Sequence, residues 1–246
     1  GKTFDVGEGH CIHFDEDMFK RCVLIYSKAI AHAIGIYENH IVSGGQSNGQ
    51  RADFEVSIDE TMTPTHPAQH FFVANELSRA NVHIATVAPR FCGEFQKGID
   101  YIGDLGQFEQ EMKVHAAIAR HFGYKLSIHS GSDKFSIFPY AGRETKGRFH
   151  LKTAGTNWLE AMKLVAMKDP SLYREVHRFA LGAFSEATKY YHVTTDLSKI
   201  PDIDTLDDAQ LVGLFSMNDA RQLIHITYGL ILNAKDSTGA SLFRDR

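Results

Sequence analysis

"LSIHSGSDKFSIFP", residues 126–139, opens as a strand and then stops being one. Leu126 and Ile128 fall on one face of a two-residue period, Ser127 and His129 on the other. Past His129 the apolar run gives way to Ser130, Gly131, Ser132, Asp133 and Lys134 before apolar residues resume. A half-buried strand ending in a burst of polar side chains predicts a site at its C-terminal end, with His129, Ser130, Asp133 and Lys134 facing a ligand.

The same alternation recurs along the chain. In "FEVSI" (54–58) Phe54, Val56 and Ile58 oppose Glu55 and Ser57, and Asp59 continues the polar row. In "RFHLK" (148–152) Phe149 and Leu151 oppose His150 and Lys152, and in "YYHVTT" (190–195) Tyr191 and Val193 oppose His192 and Thr194. "VHIATVA" (82–88) completes five candidate strands. Between them the apolar spacing predicts helices near Pro67–Ala80, near 107–122, and from about Thr156, interrupted at Pro170 and resuming to Lys189. An opening helix is capped by Asp15, with Phe19, Cys22, Val23, Tyr26 and Ile30 on its apolar stripe and no strand before it. A polar loop is expected over "SGGQSNGQ" (43–50).

Strands and helices alternating at this pace predict βαβ units and a parallel sheet. An open doubly wound sheet, covered on both faces, would show nearly continuous apolar strands. Strands with one polar face instead suit a (β/α)8 TIM barrel with a polar upper lumen. Five strands do not close eight. Either others lie in weakly patterned stretches such as "QLIHITYGLIL" (222–232), or residues 1–246 are the C-terminal portion of such a barrel domain, incomplete in this chain; the second reading is preferred.

Composition narrows the function. At 43% apolar and 23% charged residues, with a formal net charge of -4, the chain offers no basic footprint for nucleic acid or an anionic membrane. No stretch approaches the ~20 apolar residues of a membrane span. Cys11, Cys22 and Cys92 are odd in number and widely spaced, as structural thiols of a cytoplasmic protein would be. Fourteen histidines direct attention to metal or acid–base chemistry.

Polar side chains collect at the strand ends. Asp59 and Glu60 follow the first strand; Arg90 and Glu94 follow the next; Lys152 and Thr153 follow His150; Asp196 follows His192. Each also has a structural reading. His129 could be a hydrogen-bonded core histidine. Glu55 and Asp59 could form internal ion pairs with Lys152 or Arg90, and an inward-facing Lys152 would need an anionic partner. His115, His121 and His177 sit on helical segments, where packing or solvation accounts for them.

Taken together, "DFEVSIDETMTPT" (53–65), "VAPRFCGEFQKGIDYIGD" (87–104), the opening stretch, "GRFHLKTAGTNWLEA" (147–161), "YYHVTTDLSKIPD" (190–202) and "NDARQLIHITYG" (218–229) resemble the tagaturonate epimerase family of hexuronate catabolism. Members are longer than this chain, which resembles their C-terminal portion. The resemblance implies a metal-dependent barrel enzyme interconverting tagaturonate and fructuronate, a sugar-acid substrate, and an oligomer as one option. It implies His129 and His150 as ligands of a divalent manganese, iron, cobalt, nickel or zinc ion; Glu55, Asp59 and Glu94 for proton transfer; and Arg90, Ser130, Lys134 and Lys152 for the substrate. Glu55, the deeper carboxylate, is expected to have a raised pKa and an acid role. Two other classes fit the same residues: a metal-dependent ketose or aldose isomerase, and a non-catalytic sugar-acid binding protein.

Overall fold

The computed structural model describes residues 1–42 and 52–243; the expected loop at 43–50 lies outside them. The chain divides into two compact units, and no linker separates them in sequence. One comprises residues 1–94, 102–129 and 135–152; the other comprises 95–101, 130–134 and 153–246.

The first unit is mixed α/β. It opens with an antiparallel hairpin, β1 (Lys2–Asp5) and β2 (Cys11–Phe14), where the sequence had led us to expect no strand ahead of the first helix. Short strands split by a glycine-containing turn carry too few residues for the alternation to register. Helix α1 (Glu16–Ile36) begins where expected, with the Asp15 carboxylate accepting the Met18 amide at 2.7 Å. Its buried face is Cys22, Tyr26 and Ile30, while Phe19 and Val23 are exposed.

A parallel sheet follows, in the order β3 (Glu55–Ile58), β4 (Thr86–Pro89), β5 (Lys125–Ile128), β6 (Phe149–Leu151). Helices α2 (Pro67–Arg79), α3 (Leu105–Phe122) and α4 (Phe138–Glu144) connect the strands. Helix α2 starts in a capping box: the His66 ring accepts the Ala68 amide, the Gln69 side chain accepts the His66 amide, and Pro67 takes the first turn, where an N–H is dispensable. Leu126 and Ile128 are fully buried, worth about 1.5–3 kcal/mol each. Register fixes which residues share the opposite face, because Glu55 pairs with Thr86 and Ser127 with His150.

Three buried rings join α2, α3 and the start of β5. His70 Nδ1 lies 2.9 Å from His115 Nδ1, and His70 Nε2 lies 2.6 Å from the Tyr124 hydroxyl. Burial, and for His70 also the neighbouring His115, hold both imidazoles below their usual range. Burial raises the Tyr124 phenol. Burial favours the neutral form of all three, and His115, fully enclosed, packs as its place on a helix suggested.

The second unit is helical: α5 (Asn157–Lys168), α6 (Pro170–Ala187), two 3₁₀ turns, α7 (Asn218–Ile226) and α8 (Tyr228–Asn233). Leu159, Met162, Tyr173, Val176, Leu211, Leu214, Leu223 and Ile224 form its core. One expectation and one less favoured alternative fail here. "QLIHITYGLIL" is helical, covering the end of α7 and most of α8; Gln222 and His225 are buried beside Leu223, Ile224 and Ile226, so polar residues interrupt the apolar run that would mark the buried face in sequence. Residues 190–195 form no strand; the Thr194 amide bonds the Gln96 side chain at 2.9 Å instead of a neighbouring backbone.

Gly123 turns α3 into β5. It adopts φ +84°, and its amide reaches the Ala119 and Arg120 carbonyls. Nothing lies within 4 Å of a Cβ placed there. Gly123→Ala is therefore expected to cost about 1–2 kcal/mol by backbone conformation alone. Chemical unfolding should register this as a lower midpoint with an unchanged slope.

Candidate active site

On the polar face of the parallel sheet, four groups from three strands meet. Glu55 starts β3, Asp59 and His129 each stand one residue beyond their strands, and His150 lies within β6. His129 is held between the carboxylates: Nε2 is 2.9 Å from Glu55 Oε1, and Nδ1 is 3.0 Å from Asp59 Oδ2. The second Glu55 oxygen lies 3.0 Å from His150 Nδ1 and accepts the Thr86 hydroxyl at 2.5 Å. Ser127 reaches His150 Nδ1 at 2.8 Å, and the Ser57 hydroxyl donates to Asp59.

This environment decides the charge of Glu55. Burial pushes its pKa up, but hydrogen bonds from Thr86, His129 and Ser127, together with the attraction of His129, outweigh burial and hold it at about 2. The raised pKa expected for a deep carboxylate is thus reversed, because its neighbours are donors. An acid role for Glu55 near neutrality goes with it. A carboxylate on Nδ1 of His150 favours the tautomer protonated there, leaving Nε2 as the ring's basic nitrogen. The His150 side chain is 46% exposed.

Two imidazoles and two carboxylates are donors of the kind a divalent transition ion takes. In the arrangement seen, however, both His129 nitrogens face carboxylates. No three His, Cys, Asp or Glu side chains among the described residues are grouped to hold a metal ion. The set fits a metal in donor chemistry, and binding one would exchange imidazole–carboxylate hydrogen bonds for metal bonds.

The remaining candidates lie elsewhere. Arg90, one residue past β4, donates through its guanidinium to the Thr61 carbonyl, while its amide donates to Thr65 Oγ1 at 2.9 Å. Glu94 pairs its backbone with Ile102. Lys152, expected to need an anionic partner in the interior, is exposed at the end of β6 and meets no burial cost.

Ser130 and Lys134 belong to the second unit. Ser130 adopts φ +50° and lies 3.4 Å from Lys97 Nζ. Lys134, expected at the ligand, is fully buried; its ammonium donates to the carbonyls of Gln96 (2.8 Å), Ile99 (2.6 Å) and Ser132 (3.0 Å). Three carbonyls match the three N–H donors of a lysine. Burial lowers its pKa to about 8, against the opposing pull of Asp133 and Asp100.

Thr86, Ser57 and Ser127 went unnamed as site residues in the sequence. The parity that exposed Glu55 and His129 also carried Ser57 and Ser127, whereas Thr86 depends on a register between strands that sequence does not display.

A family model described as tagaturonate epimerase matches residues 1–246. The chain belongs to the tagaturonate epimerase family. It is similar to the tagaturonate/fructuronate epimerase of Thermotoga maritima, with 50% identity over 233 residues that span 94% of this chain and 47% of that protein. It is also similar to crystal structures of the fructuronate-tagaturonate epimerase of Cohnella laeviribosi, native and with one glycerol. Both superpose at a TM-score of 0.94 with 60% identity, over 99% of this chain and 49% of theirs. The chain spans about half the length of these family members. Among the described residues, no helix is long and apolar enough to cross a membrane.

The Glu55 environment leads to a measurable pH dependence. A depressed acid stabilises the fold above its ordinary pKa, 4.5, and loses that contribution as pH falls through the folded value, about 2. The stability gap between wild type and Glu55→Gln, followed by denaturant unfolding, should be widest above pH 4.5 and close toward pH 2. A gap constant over that window would contradict the donor environment described.

Proposed function

We propose that this chain carries the catalytic cluster of a tagaturonate–fructuronate epimerase, seated on part of a (β/α)8 barrel. One observation supports this most: Glu55, Asp59, His129 and His150 gather on the polar face of a parallel sheet, in a chain similar to proteins named as epimerases of these two sugar acids. A barrel accords with the strand order, which runs in sequence with no reversal among the four strands.

The two hexuronates differ at the carbon β to the ketone. Its C–H is not acidified by the carbonyl, so direct deprotonation is a poor route. Retro-aldol chemistry avoids that step. A base takes the proton of the hydroxyl on that carbon, and the bond to the α carbon breaks with its electrons passing to the ketone as an enediolate. The aldehyde fragment turns over, and re-addition forms the same bond with the opposite configuration.

Asp59 is the better base. Its carboxylate stands one residue past the C-terminal end of β3, where a barrel meets its substrate, and His129 Nδ1 at 3.0 Å and the Ser57 hydroxyl orient it. Glu55, already ionised and accepting several hydrogen bonds, orients His129 and His150. Glu94 is the competing base. Lys152 offsets negative charge as the enediolate develops, and Arg90 directs its remaining donors to the substrate carboxylate. His129 and His150 would hold a divalent ion together with a carboxylate of the cluster, and when bound it would supply Lewis acidity toward the ketone oxygen.

The test is conversion of tagaturonate to fructuronate by the purified protein, followed by NMR in heavy water. Deuterium entering at the carbon α to the ketone during turnover would favour the isomerase reading. Asp59→Asn is expected to lower turnover roughly 100-fold or more with folding intact. His129→Ala should lose metal as well as activity, and a His129→Ala protein that keeps stoichiometric metal would remove His129 as a ligand.

A further inference from the structure

Asp59 and Arg90 each stand one residue beyond the last rung of the β3–β4 pairing, Ile58 with Pro89. Proline brings no N–H to that rung. Thr65 occupies the gap. Its backbone amide donates to the Arg90 carbonyl at 2.8 Å, its hydroxyl oxygen accepts the Arg90 amide at 2.9 Å, and the hydroxyl proton points to the Ile58 carbonyl at 3.4 Å. One hydroxyl, with one proton and two lone pairs, thus touches the peptide units that carry both Asp59 and Arg90. The residue is 3% exposed, so water does not replace it.

From this arrangement we infer that Thr65 is a positioning residue of the epimerase site, setting the placement of Asp59 and Arg90 through the ends of β3 and β4. It touches no reacting atom. The loop from Asp59 to Thr65 is held at further points: the Thr61 amide bonds the Asp59 carbonyl at 2.9 Å, the Thr61 hydroxyl bonds the Thr63 carbonyl at 2.7 Å, and the Arg90 guanidinium bonds the Thr61 carbonyl. Loss of the Thr65 hydroxyl would leave the Arg90 amide and Ile58 carbonyl buried without that partner, and the strand ends would shift to recover one. A base displaced by about 1 Å loses roughly 100-fold in rate while substrate binding elsewhere survives.

This inference rests on the epimerase reading. Thr65→Val, nearly isosteric, is compared with Thr65→Ser, which keeps the hydroxyl. Thr145→Val serves as a control, since Thr145 is another buried threonine whose hydroxyl bonds a carbonyl, Ala141 at 2.6 Å, within a helix turn. With tagaturonate as substrate, Thr65→Val is expected to lower kcat at least tenfold through Asp59 and to raise KM through Arg90. Thr65→Ser should restore kcat, and Thr145→Val should lose melting temperature without losing kcat. If Thr65→Val does not fold, Thr65→Ala against Thr65→Ser isolates the hydroxyl in the same way. Wild-type kcat in the hydroxyl-deleted variant, or a kcat loss that Thr145→Val shares, overturns the inference alone. Absence of any epimerisation by the wild type overturns the epimerase reading, and this inference with it.

Discussion

The contact on which the site depends is the His129 imidazole between two carboxylates. Two acids on adjacent sides of one ring would repel if brought together alone, and the ring is what makes their proximity tolerable. The arrangement is reciprocal. Glu55 stays ionised because His129, Thr86 and Ser127 donate to it, and the rings keep their orientation because Glu55 is ionised. Deleting one member leaves the others carrying a charge without a partner in a half-buried place, where such a loss costs more than the pair itself contributes. Glu55 and Asp59 share β3 and its end, but His129 and His150 come from β5 and β6, so the cluster exists through the parallel register.

How far this was legible in the sequence follows from which interactions are local. The two-residue period at Leu126–His129 marked both the strand and its polar face, because alternation is a property of one strand. Helix starts at Asp15 and Pro67 were legible for the same reason. The convergence of His129 with Glu55 and Asp59 was legible as a set of strand-end polar residues, but their contacts were not.

Other features stayed hidden because they depend on distant partners. "YYHVTT" has strand-like alternation, yet a strand needs a ladder, and Thr194 bonds a glutamine side chain instead. Burial alone would raise the pKa of Glu55, and the donors that reverse the sign come from other strands. The charge and position of Lys134 point to a ligand group. Where its ammonium goes depends on the turn made by Asp133, at φ +60°, which the residue types do not announce.

Lys134 has a consequence for how this segment can evolve. Its three partners are main-chain carbonyls of Gln96, Ile99 and Ser132, so the contact reads the path of the backbone and not the identity of the residues along it. Substitutions at positions 99 and 132 can accumulate without weakening it, provided the chain keeps its course. Insertion or deletion of one residue between 96 and 99 would move a carbonyl out of reach of a charge that is fully enclosed. Drift in composition at constant length is therefore permitted in this loop, and drift in length is not.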